Sequence, residues 1–134
     1  MENVIVIVEK TDTGYSAYTE DLIGCVAAGD TFESVKENMR EAIDFHLEGL
    51  VEFDEVIPEK FQDDYELIFD LDLYAFFDWV SGMLTRSGIA NISGLNASLV
   101  SQYANGLKTP SKRQLKKIEK GIHQFGADLQ AITL

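Results

Sequence analysis

Thr85-Arg86-Ser87-Gly88-Ile89-Ala90-Asn91-Ile92-Ser93-Gly94-Leu95-Asn96-Ala97-Ser98-Leu99-Val100-Ser101-Gln102-Tyr103-Ala104-Asn105-Gly106 reads as two short helices about a tight turn. Thr85 has the side chain to cap the first helix, and Ala90 is small enough for two helices to cross closely. Gly94 permits the positive φ of the turn. Leu95, Val100 and Tyr103 are the expected inward anchors. Asn96 is a good N-cap for the second helix, and Asn105-Gly106 is a natural stop. That pattern leaves Ala97, Ser98, Ser101 and Gln102 on the outer face near the second helix's N-terminus, where a recognition helix meets the major groove. Gln102 has the amide to pair with adenine N6 and N7, Ser98 and Ser101 have hydroxyls for bases, and Ala97 suits a thymine methyl. Thr85, Arg86, Lys108, Lys112 and Arg113 fall at helix ends and in the following loop, where they would contact phosphates and set the docking register. Ser111 and Gln114 have the spacing of a capping box for a last helix. The competing reading of the same residues is a helical module that merely dimerises.

Outward from this segment the chain changes character. Phe76, Phe77, Val80 and Leu84 make an apolar helix face before it, and Leu115, Ile118, Ile122 and Phe125 make one after it. The N-terminal half reads as strands and one helix. Val4-Ile5-Val6-Ile7-Val8 is β-branched throughout, which points to a strand buried on both faces. Asp12-Thr13-Gly14 supplies a turn into a second strand over residues 15–18, and an extended piece is expected around Cys25-Val26-Ala27. A helix should start after Asp30-Thr31; either residue can cap it, and Asp30 with Glu33 has the spacing of a capping box. Its apolar stripe runs through Phe32, Val35, Met39, Ala42, Ile43, Leu47 and Leu50, and Gly49 is a candidate stop. Residues 51–64 are acidic, contain Pro58 and read as a loop, before a fourth strand over 65–71. The expected fold is α+β, with a small antiparallel sheet and one helix in residues 1–72 and an all-α domain in residues 73–134.

Charge divides at the same place. Residues 1–72 carry four basic and twenty acidic side chains, a net of −16, whereas residues 73–134 carry seven basic and three acidic, a net of +4. Two modules with different partners, one of them a polyanion, would account for that asymmetry. No apolar run approaches the roughly 20 residues of a membrane span, and the N-terminus lacks signal-peptide character. With Cys25 the one cysteine, no internal disulfide forms, which fits a reducing cytoplasm.

The case for an enzyme is weak. Glu9, Asp12, Glu20 and Asp21 are the nearest approach to the carboxylate cluster that two-metal nuclease chemistry needs, with ions about 3.5 to 4 Å apart. They fall at strand ends and turns, and the first strand's centre is aliphatic, so no catalytic residue, metal or cofactor is expected. His46 has no second ligand at metal spacing, and Cys25 reads as a buried structural thiol. Phe76, Phe77 and Trp79 read either as domain core or as a dimer contact, and because they exceed what one helix face buries, a dimer contact is expected for part of that cluster.

Residues 4–50 also resemble the HicB antitoxins of bacterial HicAB toxin-antitoxin systems. The resemblance rests on Thr13-Gly14-Tyr15, Asp21-Leu22-Ile23-Gly24-Cys25, Gly29-Asp30-Thr31-Phe32 and Ala42 with Leu47-Glu48-Gly49-Leu50, and Ile57-Pro58-Glu59 continues it beyond Leu50. The family's usual Pro-Asp-Leu-Pro-Gly-Cys stands here as Glu20-Asp21-Leu22-Ile23-Gly24-Cys25, without either proline. Residues 85–105 resemble the Cro/C1-type helix-turn-helix, one of two DNA-binding modules that HicB proteins carry. The resemblance implies a partial RNase H-like N-terminal domain that binds a small basic mRNA-cleaving toxin of the HicA type. It further implies a C-terminal domain that represses the shared operon at an inverted-repeat operator, as a homodimer or higher oligomer. The alternative is an orphan regulator whose N-terminal half senses a ligand or only dimerises.

Overall fold

The computed structural model describes all 134 residues, Met1–Leu134. They form two compact units, residues 1–79 and residues 80–134.

Unit 1 contains strands β1 (Glu2–Lys10), β2 (Tyr15–Tyr18) and β3 (Val26–Gly29), helix α1 (Phe32–Glu52), a 3-10 turn (Glu59–Phe61), strand β4 (Tyr65–Leu71) and helix α2 (Leu73–Val80), whose last residue lies past the unit boundary. The sheet order is β3-β2-β1-β4. Antiparallel pairing joins β1 to β2 and β2 to β3. Against the expected antiparallel sheet, β4 runs parallel to β1, with Val4 opposite Leu67 and Val6 opposite Phe69. A parallel neighbour needs a long return connection, and the 21-residue α1 supplies it.

β1 is covered on one face only, contrary to its wholly aliphatic sequence. Val4, Val6 and Val8 are fully buried, while Ile5 is 41% exposed. Period-two alternation puts Tyr15 and Ala17 beside the valines, under a core completed by Phe32, Val35, Met39 and Ile43 of α1. Two glycines allow this close assembly. A Cβ on Gly14 would lie 3.0 Å from the Cα of Asp30, and one on Gly29 would lie 2.6 Å from the amide nitrogen of Val35. Both clashes are with backbone, so rotamer changes cannot relieve them.

Of the two expected caps, Thr31 and not Asp30 starts α1, so the box of Asp30 with Glu33 does not form. Thr31 is the N-cap, accepting from the Ser34 amide at 3.0 Å, and the Ser34 hydroxyl accepts from the Thr31 amide at 3.0 Å. Hydroxyls fill both roles in this box. Gly49 does not end the helix, which runs on to Glu52 until Asp54 turns it out at φ 55°. Within the acidic connection Phe61 is buried and stacks edge-on against Tyr65 at 5.0 Å.

The expected boundary after Asp72 also moves. Asp72 caps α2 by accepting from the Ala75 amide at 2.7 Å. α2 then adds to the first unit's core rather than opening the second. Ala75 is fully buried, Trp79 meets Phe32 edge-on at 4.9 Å, and the Trp79 indole donates to Glu33 at 3.0 Å. Trp79 is therefore engaged within its own unit, and Phe77 is buried, so these two side chains fit the domain-core reading of the aromatic cluster.

The Tyr15 hydroxyl donates to Asp78. Burial, then that hydrogen bond, push its pKa far above the ordinary tyrosine range. The folded value lies above the unfolded value, so this group's contribution is intact below about pH 10 and is lost as pH rises beyond it. Urea midpoints measured between about pH 9 and pH 11 should fall for the wild type and fall less for Tyr15→Phe.

Unit 2 contains α3 (Arg86–Ser93), α4 (Ala97–Ala104) and α5 (Lys112–Gln130). Its core is small and includes Ile89 and Ala90 from α3, Val100 and Tyr103 from α4, and Ile118 from α5. Gly121 of α5 is buried where that helix crosses α3. A Cβ there would sit 2.8 Å from the Ile92 carbonyl carbon and 2.9 Å from the Ser93 Cα. Ser93 itself is buried, and its hydroxyl donates to the Ile89 carbonyl at 2.6 Å, so a polar residue fits at this crossing.

Candidate functional site

In unit 2 the local chemistry of residues 85–113 is written in its caps. Thr85 accepts from the Gly88 amide at 2.9 Å and starts α3. Gly94 ends it at φ 70°, a left-handed conformation that disfavours a side chain. Two residues later Asn96 starts α4 by accepting from the amides of Ser98 at 2.8 Å and Leu99 at 3.4 Å. Asn105 is the C-cap, and Gly106 follows at φ 72°. The Gln102 carbonyl accepts from Leu107 at 2.8 Å, folding the chain back towards α5.

Val100 and Tyr103 turn inward on α4, leaving Ala97 and Ser98 exposed and Ser101 and Gln102 half-exposed. One helix face thus presents a methyl, two hydroxyls and a carboxamide, with both α4 end caps made locally. Arg86, Lys108, Lys112 and Arg113 are all exposed, as is Thr85, whose hydroxyl is already used as a cap. Ser111 caps α5 by accepting from the Gln114 amide at 3.2 Å. The expected second half of that box is missing: Gln114 Oε1 is buried without a partner.

Unit 1 has the opposite electrostatics. Of the 23 acidic residues in the chain, 21 precede residue 80, with four basic ones. Those four are held locally. Lys10 lies over the Tyr15 ring, Lys36 over Phe32 and Arg40 over Phe69. Lys60 pairs with Asp21 at 3.3 Å. Glu9, Asp12, Glu20 and Asp21 do not gather into any group of three or more that could hold a metal ion. Cys25 is buried, and burial pushes its thiol pKa up, away from nucleophilic behaviour. His46 is half-buried on α1. No helix is long and apolar enough to cross a membrane.

Sheet, covering helix and acidic surface together define a small acidic α+β domain followed by a helical unit. The family model for the HicB-like antitoxin of bacterial toxin-antitoxin systems matches residues 4–85, and the chain belongs to that family. Among curated relatives, a 14.9 kDa protein from the rep-hol intergenic region of Haemophilus phage HP1 is 42% identical over 55 residues, 41% of each chain. A UPF0150 protein of Synechocystis is 39% identical over 59 residues, 43% of this chain and 75% of that one. A UPF0150 protein of Helicobacter pylori is 40% identical over 50 residues, 37% of this chain and 68% of that one. Among solved structures, a HicA3 and HicB3 toxin-antitoxin complex includes a chain 34% identical, with a TM-score of 0.38. The alignment covers 42% of this chain and 65% of that one. The match to the phage protein thus spans well under half of that protein's length.

Proposed function

We propose that this chain neutralises a small basic, mRNA-cleaving toxin of the HicA type through unit 1 and represses its own operon through unit 2. It acts in the cytoplasm by binding, without catalysis. Family membership over residues 4–85 carries the reading, and the charge division supports it. An acidic unit attracts a basic protein at long range and repels nucleic acid, so DNA falls to the unit that carries exposed cations. We further read unit 1 as a partial RNase H-like fold, which its 3-2-1-4 strand order with β4 parallel to β1 supports.

For DNA, we read α3 and α4 as a helix-turn-helix of the Cro/C1 type. Ala97, Ser98, Ser101 and Gln102 read bases, while Thr85, Arg86, Lys108, Lys112 and Arg113 meet phosphates. Half-exposed Ile122 and Phe125 continue into exposed Leu129 and Ile132, spaced three and four residues apart along and beyond α5. That seam supports a homodimer, and a dimer implies an inverted-repeat operator.

Co-expression with a small basic toxin of the HicA type, followed by purification on a tag carried by this chain, tests the first half. Recovery of both and relief of toxicity are expected. Operator binding without any retained partner would favour an orphan regulator instead. For the second half, Gln102→Ala should cost about 1–3 kcal/mol on the operator and little on random DNA. Lys112→Ala should weaken both alike and lower the salt slope by about one. Equal losses on both DNAs for Gln102→Ala would remove that side chain from base reading.

A further inference from the structure

The face of the sheet turned away from α1 carries an apolar centre among the polar side chains of Asn3, Glu9, Ser16, Glu66 and Asp70, where a half-covered sheet ordinarily shows polar side chains throughout. The register aligns Val26, Tyr18 and Ile7 in one row across β3, β2 and β1, and Ile5 with Ile68 in another across β1 and β4. Val26 is 66% exposed, Ile5 41%, Ile68 40% and Tyr18 36%. Val4-Ile5-Val6-Ile7-Val8 is thus composed for burial on both faces, and this chain covers one. Contiguous exposed apolar surface of this kind marks an interaction site.

Charge selects the occupant. Glu9, Glu66 and Asp70 are exposed on the same face by the strand alternation. The four cations of unit 1 are engaged elsewhere: three over rings whose residues belong to the core on the α1 side, and Lys60 with Asp21 and the Asn3 carbonyl. Two copies meeting through this face would bring six carboxylates together without a compensating cation. A partner with an apolar centre and a basic rim meets no such opposition.

We infer that the outer sheet face around Ile5, Ile7, Tyr18 and Ile68, rimmed by Glu9, Glu66 and Asp70, is the surface on which the basic partner protein docks. This rests on the antitoxin reading above and assigns its contact surface. Docking there completes the burial for which β1 is composed and supplies cations to carboxylates that lack them. The apolar centre holds the complex, and the acidic rim sets the rate of encounter.

The test uses the full chain and a small basic toxin of the HicA type, with binding followed by calorimetry and stopped flow. Ile5→Lys/Ile68→Lys should weaken binding by at least about 30-fold, and Asp70→Lys should slow association by about tenfold in low salt. Ile5→Thr/Ile68→Thr keeps β-branching and should still lose affinity, which separates docking from folding. Phe45→Lys, at an exposed position on α1, should leave binding unchanged. Normal binding by both double variants, alongside binding by the wild type, overturns the assigned surface and leaves the antitoxin reading standing. Loss of self-association in the double variants with the basic protein still bound also overturns it, because a second copy then covers the face. Failure of the wild type to bind overturns the antitoxin reading itself.

Discussion

Phe32→Ala is expected to destabilise unit 1 by about 3–5 kcal/mol. Phe32 is buried at the start of α1, and its ring is the meeting point of the covered core. It packs edge-on against Phe69 of β4 at 5.9 Å and Trp79 of α2 at 4.9 Å, and obliquely against Tyr15 of β2 at 6.4 Å. Lys36 lies 4.5 Å above it. Truncation removes the transfer free energy of the ring and leaves a void bounded by three separate elements, none of which can collapse alone. Against a typical total of about 5–15 kcal/mol, most of the margin goes. Trp79 is the only tryptophan and touches Phe32, so its fluorescence reports the loss directly. A midpoint shift of at least about 12 °C is expected on heating. Capture of the basic partner at 37 °C should fall with it. A loss below about 1 kcal/mol would show that the aromatic cluster repacks freely, contrary to a close-packed core.

Gly121→Ala should reverse the usual sign of a helix substitution. In an open helix interior, alanine is favoured over glycine by about 0.5–1 kcal/mol. At Gly121 the added methyl would meet the backbone of Ile92 and Ser93, which has no rotamer to change. α5 must then move off α3, at a cost of about 2 kcal/mol or more. Gly126, on the same helix with nothing within 4 Å of its Cβ position, supplies the control. Gly126→Ala should stabilise by about 0.5–1 kcal/mol. Helix content on heating reads both. If Gly121→Ala stabilised as Gly126→Ala does, the close crossing would be wrong. Because α3 leads directly into the turn before α4, the DNA-binding function proposed above implies that Gly121→Ala also weakens operator binding, whereas Gly126→Ala leaves it unchanged.

The ends of the helices are largely legible in the amino-acid sequence. Thr85, Gly94, Asn96 and Ser111 act where their side chains and φ preferences imply, because a cap is a hydrogen bond spanning two or three residues. The candidate base-reading face is legible for the same reason: once Asn96 sets the start of α4, helical periodicity places Ala97, Ser98, Ser101 and Gln102. Where several side chains compete for one cap, local reading loses resolution. Asp30, Thr31, Glu33 and Ser34 offer more than one box, and packing selects Thr31 with Ser34. Gly121 carries no signal, since a glycine between Lys120 and Ile122 looks like any helix flaw until a second helix crosses it.

From residue types and spacing alone come the element ends, the α+β division, the opposed charges of the two halves and the family resemblance. These depend on interactions within a turn of helix, or on simple counts. Only the tertiary structure decides that β4 joins β1 in parallel, that α2 completes the first unit's core, and that Ile5 and Ile68 lie exposed on the face away from α1. Those outcomes depend on contacts between residues tens of positions apart. An aliphatic run records that both faces of a strand are to be covered, but whether the same chain supplies the second cover is settled by where its helices pack.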